Sequence, residues 1–132
     1  MIHIDSPSES NGTFRTVTDS DGVKVAYFSL SDQVNGQVHF DQVVVDEGHQ
    51  KNGFGADIYR KVRDELHPCH VELVSDPDSF SANALALWLS LVRRGDAERL
   101  DDGTKFYIDE RQDVYGARFR MTNPRPLAPA SR

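Results

Sequence analysis

The sequence has one cysteine, Cys69, one tryptophan, Trp88, and no long apolar run. A lone cysteine excludes an internal disulfide and fits a reducing compartment. The longest apolar stretch, Ala84 to Val92, is broken by Ser90 and is too short to span a bilayer, so a buried helix is expected there and no membrane partner. The opening residues, Met1-Ile2-His3-Ile4-Asp5, lack the basic and apolar regions of a signal peptide. These absences point to the cytoplasm. An excess of positive charge is also missing: the formal net charge is −6, which argues against nucleic acid as the main partner. From Arg111 onward five arginines face Asp113 alone, a net +4, so the preceding residues carry −10. That acidity is either a solvated surface or a rim that attracts a cationic acceptor, such as a lysine, an N-terminus or a polyamine.

What is present is ordinary for a globular chain: 132 residues, 38% apolar and 27% charged, enough for one domain with one core. Residues 1–12 read as a flexible N-terminal arm, polar and turn-rich from Ser6 to Gly12. Residues 13–122 form the single domain, and 123–132, with three prolines, form a disordered tail.

Between arm and tail, strand and helix signals alternate. Phe14 to Thr18 has period two, Asp19-Ser20-Asp21-Gly22 makes a turn, and Val23 to Leu30 completes a hairpin. After Asn35-Gly36, Gln37 to Val45 reads as a third strand that ends in Val43-Val44-Val45. Phe54, Ile58, Val62 and Leu66 then recur every four residues, a helix that Pro68 stops. His70 to Val74 is a further strand. Ser79 or Ser81 caps a second helix that runs to about Arg94 and closes at Gly95. Ala97 to Leu100, Lys105 to Ile108 and Arg118 to Thr122 complete the order β-β-β-α-β-α-β-β, an α/β domain with a mixed sheet.

The segment from Val43 to Gly55 carries the chemistry. A buried strand enters a loop with two close glycines, and a helix begins at the second. Unpaired N–H groups and the positive end of the helix dipole make an anion site there. Gly53 and Gly55 let an anion approach the backbone, and Lys51, with Arg60 and Lys61 about a turn further on, adds positive charge. The arrangement is a pyrophosphate cradle, although a glycine turn without a ligand has the same local pattern. A dinucleotide-binding loop is the other candidate, since Asp76 ends a strand about twenty residues after Gly55. Against it, the third glycine position is Ile58, the loop starts several residues beyond the strand, and the chain is short for a doubly wound sheet.

Gln50-Lys51-Asn52-Gly53-Phe54-Gly55, between an apolar strand and an amphipathic helix, resembles the acetyl-CoA-binding motif of the GNAT N-acetyltransferase superfamily: Arg or Gln, two residues, Gly, one residue, then Gly or Ala. The resemblance extends in element order from about Val23 to Thr122, and its specific part is Gln37 to Leu66. It implies a mixed, mainly antiparallel sheet flanked by helices, with acetyl-CoA as co-substrate and no metal. It also implies that Val43, Val44 and Val45 offer backbone groups to the pantetheine arm, and that the N–H groups from Gln50 to Ala56 (Gln50, Lys51, Asn52, Gly53, Phe54, Gly55 and Ala56) hold the pyrophosphate. Asn83 matches a family asparagine that contacts the cofactor arm, and is equally a first-turn polar residue.

Acyl transfer to an amine needs the amine neutral. For a lysine at pH 7 this costs about 4–5 kcal/mol, for an α-amine about 1.4 kcal/mol. A general base near neutrality helps most with a lysine. His39, on the strand before the loop, is the candidate, because histidine titrates in that range and several relatives place a Glu or His base there. Asp41 projects from the same face and matches a second base position, where it could orient His39 or replace it. His49 reads as a surface residue.

Two departures from the family pattern stand out. The tyrosine often found four residues before the glycine that closes the second helix, as acid for the leaving thiolate, is Leu91 here, with Ser90 beside it. The region before Gln37 reads as strands and turns instead of the usual one or two helices, so the N-terminal region is shortened and the acceptor groove open. The expected function is transfer of an acetyl group to a primary amine, with a protein side chain or terminus as a fitting acceptor. The alternative is a non-catalytic CoA-binding or regulatory protein on the same fold.

Overall fold

The computed structural model describes residues 2–5, 14–49, 53–100 and 106–124. Its first sheet grows from hairpins. β2 (Arg15–Thr18) and β3 (Lys24–Leu30) pair antiparallel around the Asp19 turn, where Asp19 Oδ1 accepts from the N–H groups of Asp21 and Val23. β1 (His3–Ile4) adds to the outer edge of β2, and Ile2 is buried in the core. The stretch expected as a flexible arm over 1–12 therefore begins as a strand, while residues 6–13 lie outside the described residues. The reason is local pairing: Thr16 N–H donates to Asp5 Oδ1, and the Arg15 guanidinium donates to Asp5 O and, through both terminal nitrogens, to Glu65.

The strand expected over Gln37–Val45 is two strands that separate at His39. β4 (Gln37–Val38) lies parallel to β6 (Glu72–Leu73), whereas β5 (Phe40–Val45) pairs antiparallel with β3. The register of β3 against β5 slips between Ser29 and Leu30, with Ser29 opposite Gln42 and Leu30 opposite Phe40. Asp41 is thus the extra residue of a bulge, which bends the strand. Ser31 fixes the break, donating its N–H to His39 O at 2.8 Å and accepting His39 N–H on Oγ at 3.0 Å.

α1 (Phe54–Leu66) ends where Pro68 turns the chain into a short 3₁₀ segment, His67–Cys69. His70 adopts a left-handed conformation, so the strand expected from His70 contracts to β6, and Val74 keeps only a bridge to Arg120. The cap of α2 (Ala82–Arg93) is Ser81, whose side chain accepts from Ala84 N–H, and Gly95 closes the helix at φ +79°.

Three further pairings form ladders separate from the first sheet: β7 (Phe80–Ser81) and β9 (Tyr107–Ile108) flank β10 (Asp113–Tyr115), and β8 (Ala97–Arg99) pairs with β11 (Phe119–Met121). β7 and β10 have no counterpart in the expected order, and Lys105 lies outside the described residues. The assembly is a mixed, mainly antiparallel α/β sheet with two helices. Its core packs Ile58, Tyr59 and Val62 of α1 and Leu85, Trp88 and Leu91 of α2 against Val25, Phe28, Leu73 and Phe119 of the sheet. Among the described residues no helix is long and apolar enough to cross a membrane.

α1 is tied to α2 by charge. Asp96, just past α2, meets Arg60 Nε at 3.0 Å and Arg63 Nη1 at 3.4 Å. Desolvation works to raise the Asp96 pKa, but the two guanidinium groups outweigh it and hold the carboxyl below its ordinary value. A lowered folded-state pKa contributes stability that is present above the unfolded pKa of about 3.9 and is lost as pH falls through the folded one. Asp96→Asn should cost about 1 kcal/mol near neutral pH, since solvent still screens the group. The cost should vanish in strong acid, read as melting temperatures at the two pH values.

Candidate functional site

The separation at His39 opens the site. β5 is the edge strand of its sheet, because β6 follows β4 and not β5. Between Phe40–Val43 and Val74–Asp76 the two halves of the sheet leave a cavity of about 270 Å³, floored by Tyr59 and Trp88. It adjoins a cleft of about 630 Å³ bounded by Val43 and Val45 of β5, by Gly53, Gly55 and Ala56 at the start of α1, and by Asn83, Leu87 and Ser90 of α2 with Arg94, its C-cap.

The start of α1 faces that cleft. Gly53 is its N-cap at φ +76°, a left-handed conformation suited to glycine, and supplies no capping side chain. The first hydrogen bond of the helix is Asp57 N–H to Gly53 O at 3.2 Å. The N–H groups of Phe54, Gly55 and Ala56 have no partner among the described residues. A side chain at Gly53 would point into open space, whereas one at Gly55 would touch Leu87 at 3.4 Å. The two glycines thus differ in use. Gly53 keeps the approach to the helix N-terminus clear, whereas a Cβ at Gly55 would meet the tip of the Leu87 side chain of α2.

The charge assigned from sequence is only partly available here. Arg60 is held by Asp57 at 3.1 Å and by Asp96 at 3.0 Å, and neither it nor Lys61 lines the cleft. Gln50, Lys51 and Asn52 lie outside the described residues. Of the other residues chosen from sequence, Val43, Val45, Gly53, Gly55, Ala56 and Asn83 line the cleft. Val44 does not, as the alternation of a strand requires, and the Phe54 ring packs near His49 at 5.7 Å.

At the other end stands an imidazole between carboxylates. His39 Nε2 lies 3.2 Å from Asp41 Oδ1 and 3.5 Å from Asp76 Oδ2. Asp41 and Asp76 line the 270 Å³ cavity, while His39 borders the adjoining one of about 240 Å³, with Ser31, Asp32, Asn35 and Arg118; the two share Val74 and Ser75. With the proton on Nε2 facing the carboxylates, Nδ1 is the basic nitrogen. The sequence singles out Asp76 only as the acidic residue about twenty residues after Gly55, which a dinucleotide-binding loop would require. The signal for its place was the order strand–helix–strand, which sets the end of the second strand beside the end of the first. Leu91 is fully buried in the core, so the helix face toward the cleft presents Ser90 in its stead.

No family sequence model matches the chain, and no curated protein sequence does. Solved structures do. The fold is that of the GNAT-family acetyltransferases. An IAA acetyltransferase from Bacillus cereus superposes with a TM-score of 0.60 at 12% identity, covering 92% of this chain and 99% of that one. A GNAT family acetyltransferase from Elizabethkingia anophelis with acetyl-CoA bound gives 0.59 at 10% identity, over 92% and 96%. The ribosomal-protein-S18-alanine N-acetyltransferase from Escherichia coli gives 0.55 at 17%, over 91% and 76%. The doubly wound alternative is thereby set aside.

Proposed function

We propose that this chain is an N-acetyltransferase that moves an acetyl group from acetyl-CoA to a primary amine. The observation that carries the reading is one set of adjoining clefts with, at one end, a helix N-terminus whose first N–H groups have no partner among the described residues and, at the other, an imidazole between two carboxylates. When bound, acetyl-CoA would supply an acyl group activated as a thioester. The residues fit it: the Phe54, Gly55 and Ala56 N–H groups and the helix dipole suit phosphate, and the open Cβ direction of Gly53 leaves it room. The edge of β5 from Val43 to Val45 offers the arm an extended backbone, whose N–H groups would polarise the thioester carbonyl. Asn83, at the mouth of α2, would meet the same arm.

His39 would take the proton of the incoming amine, with Asp41 and Asp76 making its surroundings attractive to a cation. Those carboxylates, with Asp32 beside the adjoining cavity, favour a cationic amine over a neutral acceptor. Among the described residues no helix precedes β4, so the acceptor side is open and suits a protein side chain or terminus. The neighbour named for an alanine of ribosomal protein S18 accords with a protein acceptor.

Leu91 favours a second reading, a protein that holds coenzyme A without turnover. Calorimetric titration with acetyl-CoA, followed by labelled acetyl-CoA with a cell lysate, separates the two. Binding with a labelled amine product supports the enzyme, binding without thiol release on any amine supports the second reading, and no binding at millimolar acetyl-CoA sinks both.

A further inference from the structure

Tyr59 is a buried phenol of α1, 4% exposed, packed between the rings of Phe40 at 4.5 Å and Trp88 at 5.1 Å. Its hydroxyl has no hydrogen-bond partner among the described residues. Sealing such a group in the core would be costly. Yet among the described residues no fully buried side-chain nitrogen or oxygen lacks a partner. Both statements hold only if the phenolic oxygen meets open space, and Tyr59 lines both the 270 Å³ cavity and the 630 Å³ cleft.

Four residues border both spaces: Val43, Tyr59, Ser81 and Ala84. The side chains of Val43 and Ala84 are hydrocarbon, and Ser81 Oγ accepts Ala84 N–H at 3.1 Å as the cap of α2. Among the described residues Tyr59 therefore brings to the junction the one hydroxyl that makes no hydrogen bond, whereas the Ser81 oxygen is tied to the backbone of α2. Resting on the acetyl-CoA reading, the position has a chemical meaning. Phosphates at the start of α1 and an amine beside His39 fix the two ends, so the thioester must lie between them, at the junction. Its carbonyl oxygen is served by the edge of β5, which leaves sulfur as the polar atom without a donor.

We propose that Tyr59 is a further catalytic residue, whose hydroxyl donates a hydrogen bond to the coenzyme A sulfur and stabilises the departing thiolate. The amine nitrogen forms its bond to the acyl carbon, the carbon–sulfur bond breaks with its electron pair going to sulfur, and the amine proton passes to His39. The phenol keeps its own proton. Burial pushes the Tyr59 pKa well up, so it stays a neutral donor over the working range of pH. Fully buried Leu91 cannot serve the sulfur from α2, and Tyr59 reaches the junction from α1 instead.

The test compares coenzyme A with desulfo-coenzyme A, which lacks only the sulfur, by calorimetry at a pH where the thiol is ionised. Tyr59→Phe should weaken coenzyme A about tenfold, the size of one charge-assisted hydrogen bond, and leave desulfo-coenzyme A within about twofold. Equal loss for both ligands, or no loss for either, would overturn the assignment while leaving the binding reading intact. Failure of the unaltered protein to bind either ligand would overturn the binding reading and this one with it. Should Y59F lose its fold, Tyr59→Met, of similar bulk, repeats the comparison with the same outcomes.

Discussion

The protein carrying Gly53→Glu should remain folded and lose acetyl-CoA affinity by about a thousandfold. The side chain would enter open space, so no clash arises. The left-handed backbone at φ +76° costs a side chain roughly 1–2 kcal/mol. The helix recovers part of that cost, because a carboxylate at its N-terminus complements the dipole. For the cofactor the same carboxylate is a rival anion. At about 4 Å in surroundings of effective dielectric near 20, two like charges repel by about 4 kcal/mol, which corresponds to roughly three decades in affinity. Gly53→Ala separates strain from charge and should weaken binding by about tenfold or less. Calorimetry on both variants, with melting temperatures as the check on folding, decides it. Equal losses would mean that the loop geometry matters and the anion site does not.

His39→Ala should leave acetyl-CoA affinity unchanged and lower the transfer rate about a hundredfold near neutral pH. General bases contribute about 10²–10⁴. The lower end is expected here because Asp41 and Asp76 remain within reach of the same space. The deficit should shrink as pH rises toward the pKa of the acceptor amine, since an amine that is already neutral needs no base. The measurement is a pH profile of transfer to the amine that the labelling experiment identifies. A deficit that stays constant with pH would point to a positional role for the imidazole, and an unchanged rate would remove it from the chemistry.

Long periodic elements were legible in the sequence, and short paired ones were not. Phe54, Ile58, Val62 and Leu66 mark α1 over thirteen residues, and the Ser81 cap with Gly95 brackets α2. By contrast, β1 and β7 have two residues each and β10 has three, too few for alternation to register, so pairing decides them. The division of Gln37–Val45 has no glycine or proline to announce it. It follows from a register slip opposite Ser29 and Leu30, together with a parallel partner that arrives only after α1.

The candidate site divides in the same way. The glycine loop and His39 carry local signals, since glycine spacing and an isolated titratable residue on a strand are visible without the fold. Asp76 and Tyr59 do not. Asp76 reads as a turn residue until β6 lies beside β4. Tyr59 falls outside the every-four stripe of α1, and only the splayed sheet leaves its hydroxyl an opening. The charge of Arg60 misled for a related reason, because its partner Asp96 comes from beyond the second helix.

The ladder between β4 and β6 has two registered residue pairs, Gln37 with Glu72 and Val38 with Leu73, whereas β3 and β5 share five. This short parallel seam is lightly stitched, and it lies next to the cavity. Widening the gap would break few backbone hydrogen bonds, while the hairpin half, with its longer registers, would resist. A ligand arm bridging the seam would act as a clasp, and the stiffness it gained would be shared by both halves of the molecule.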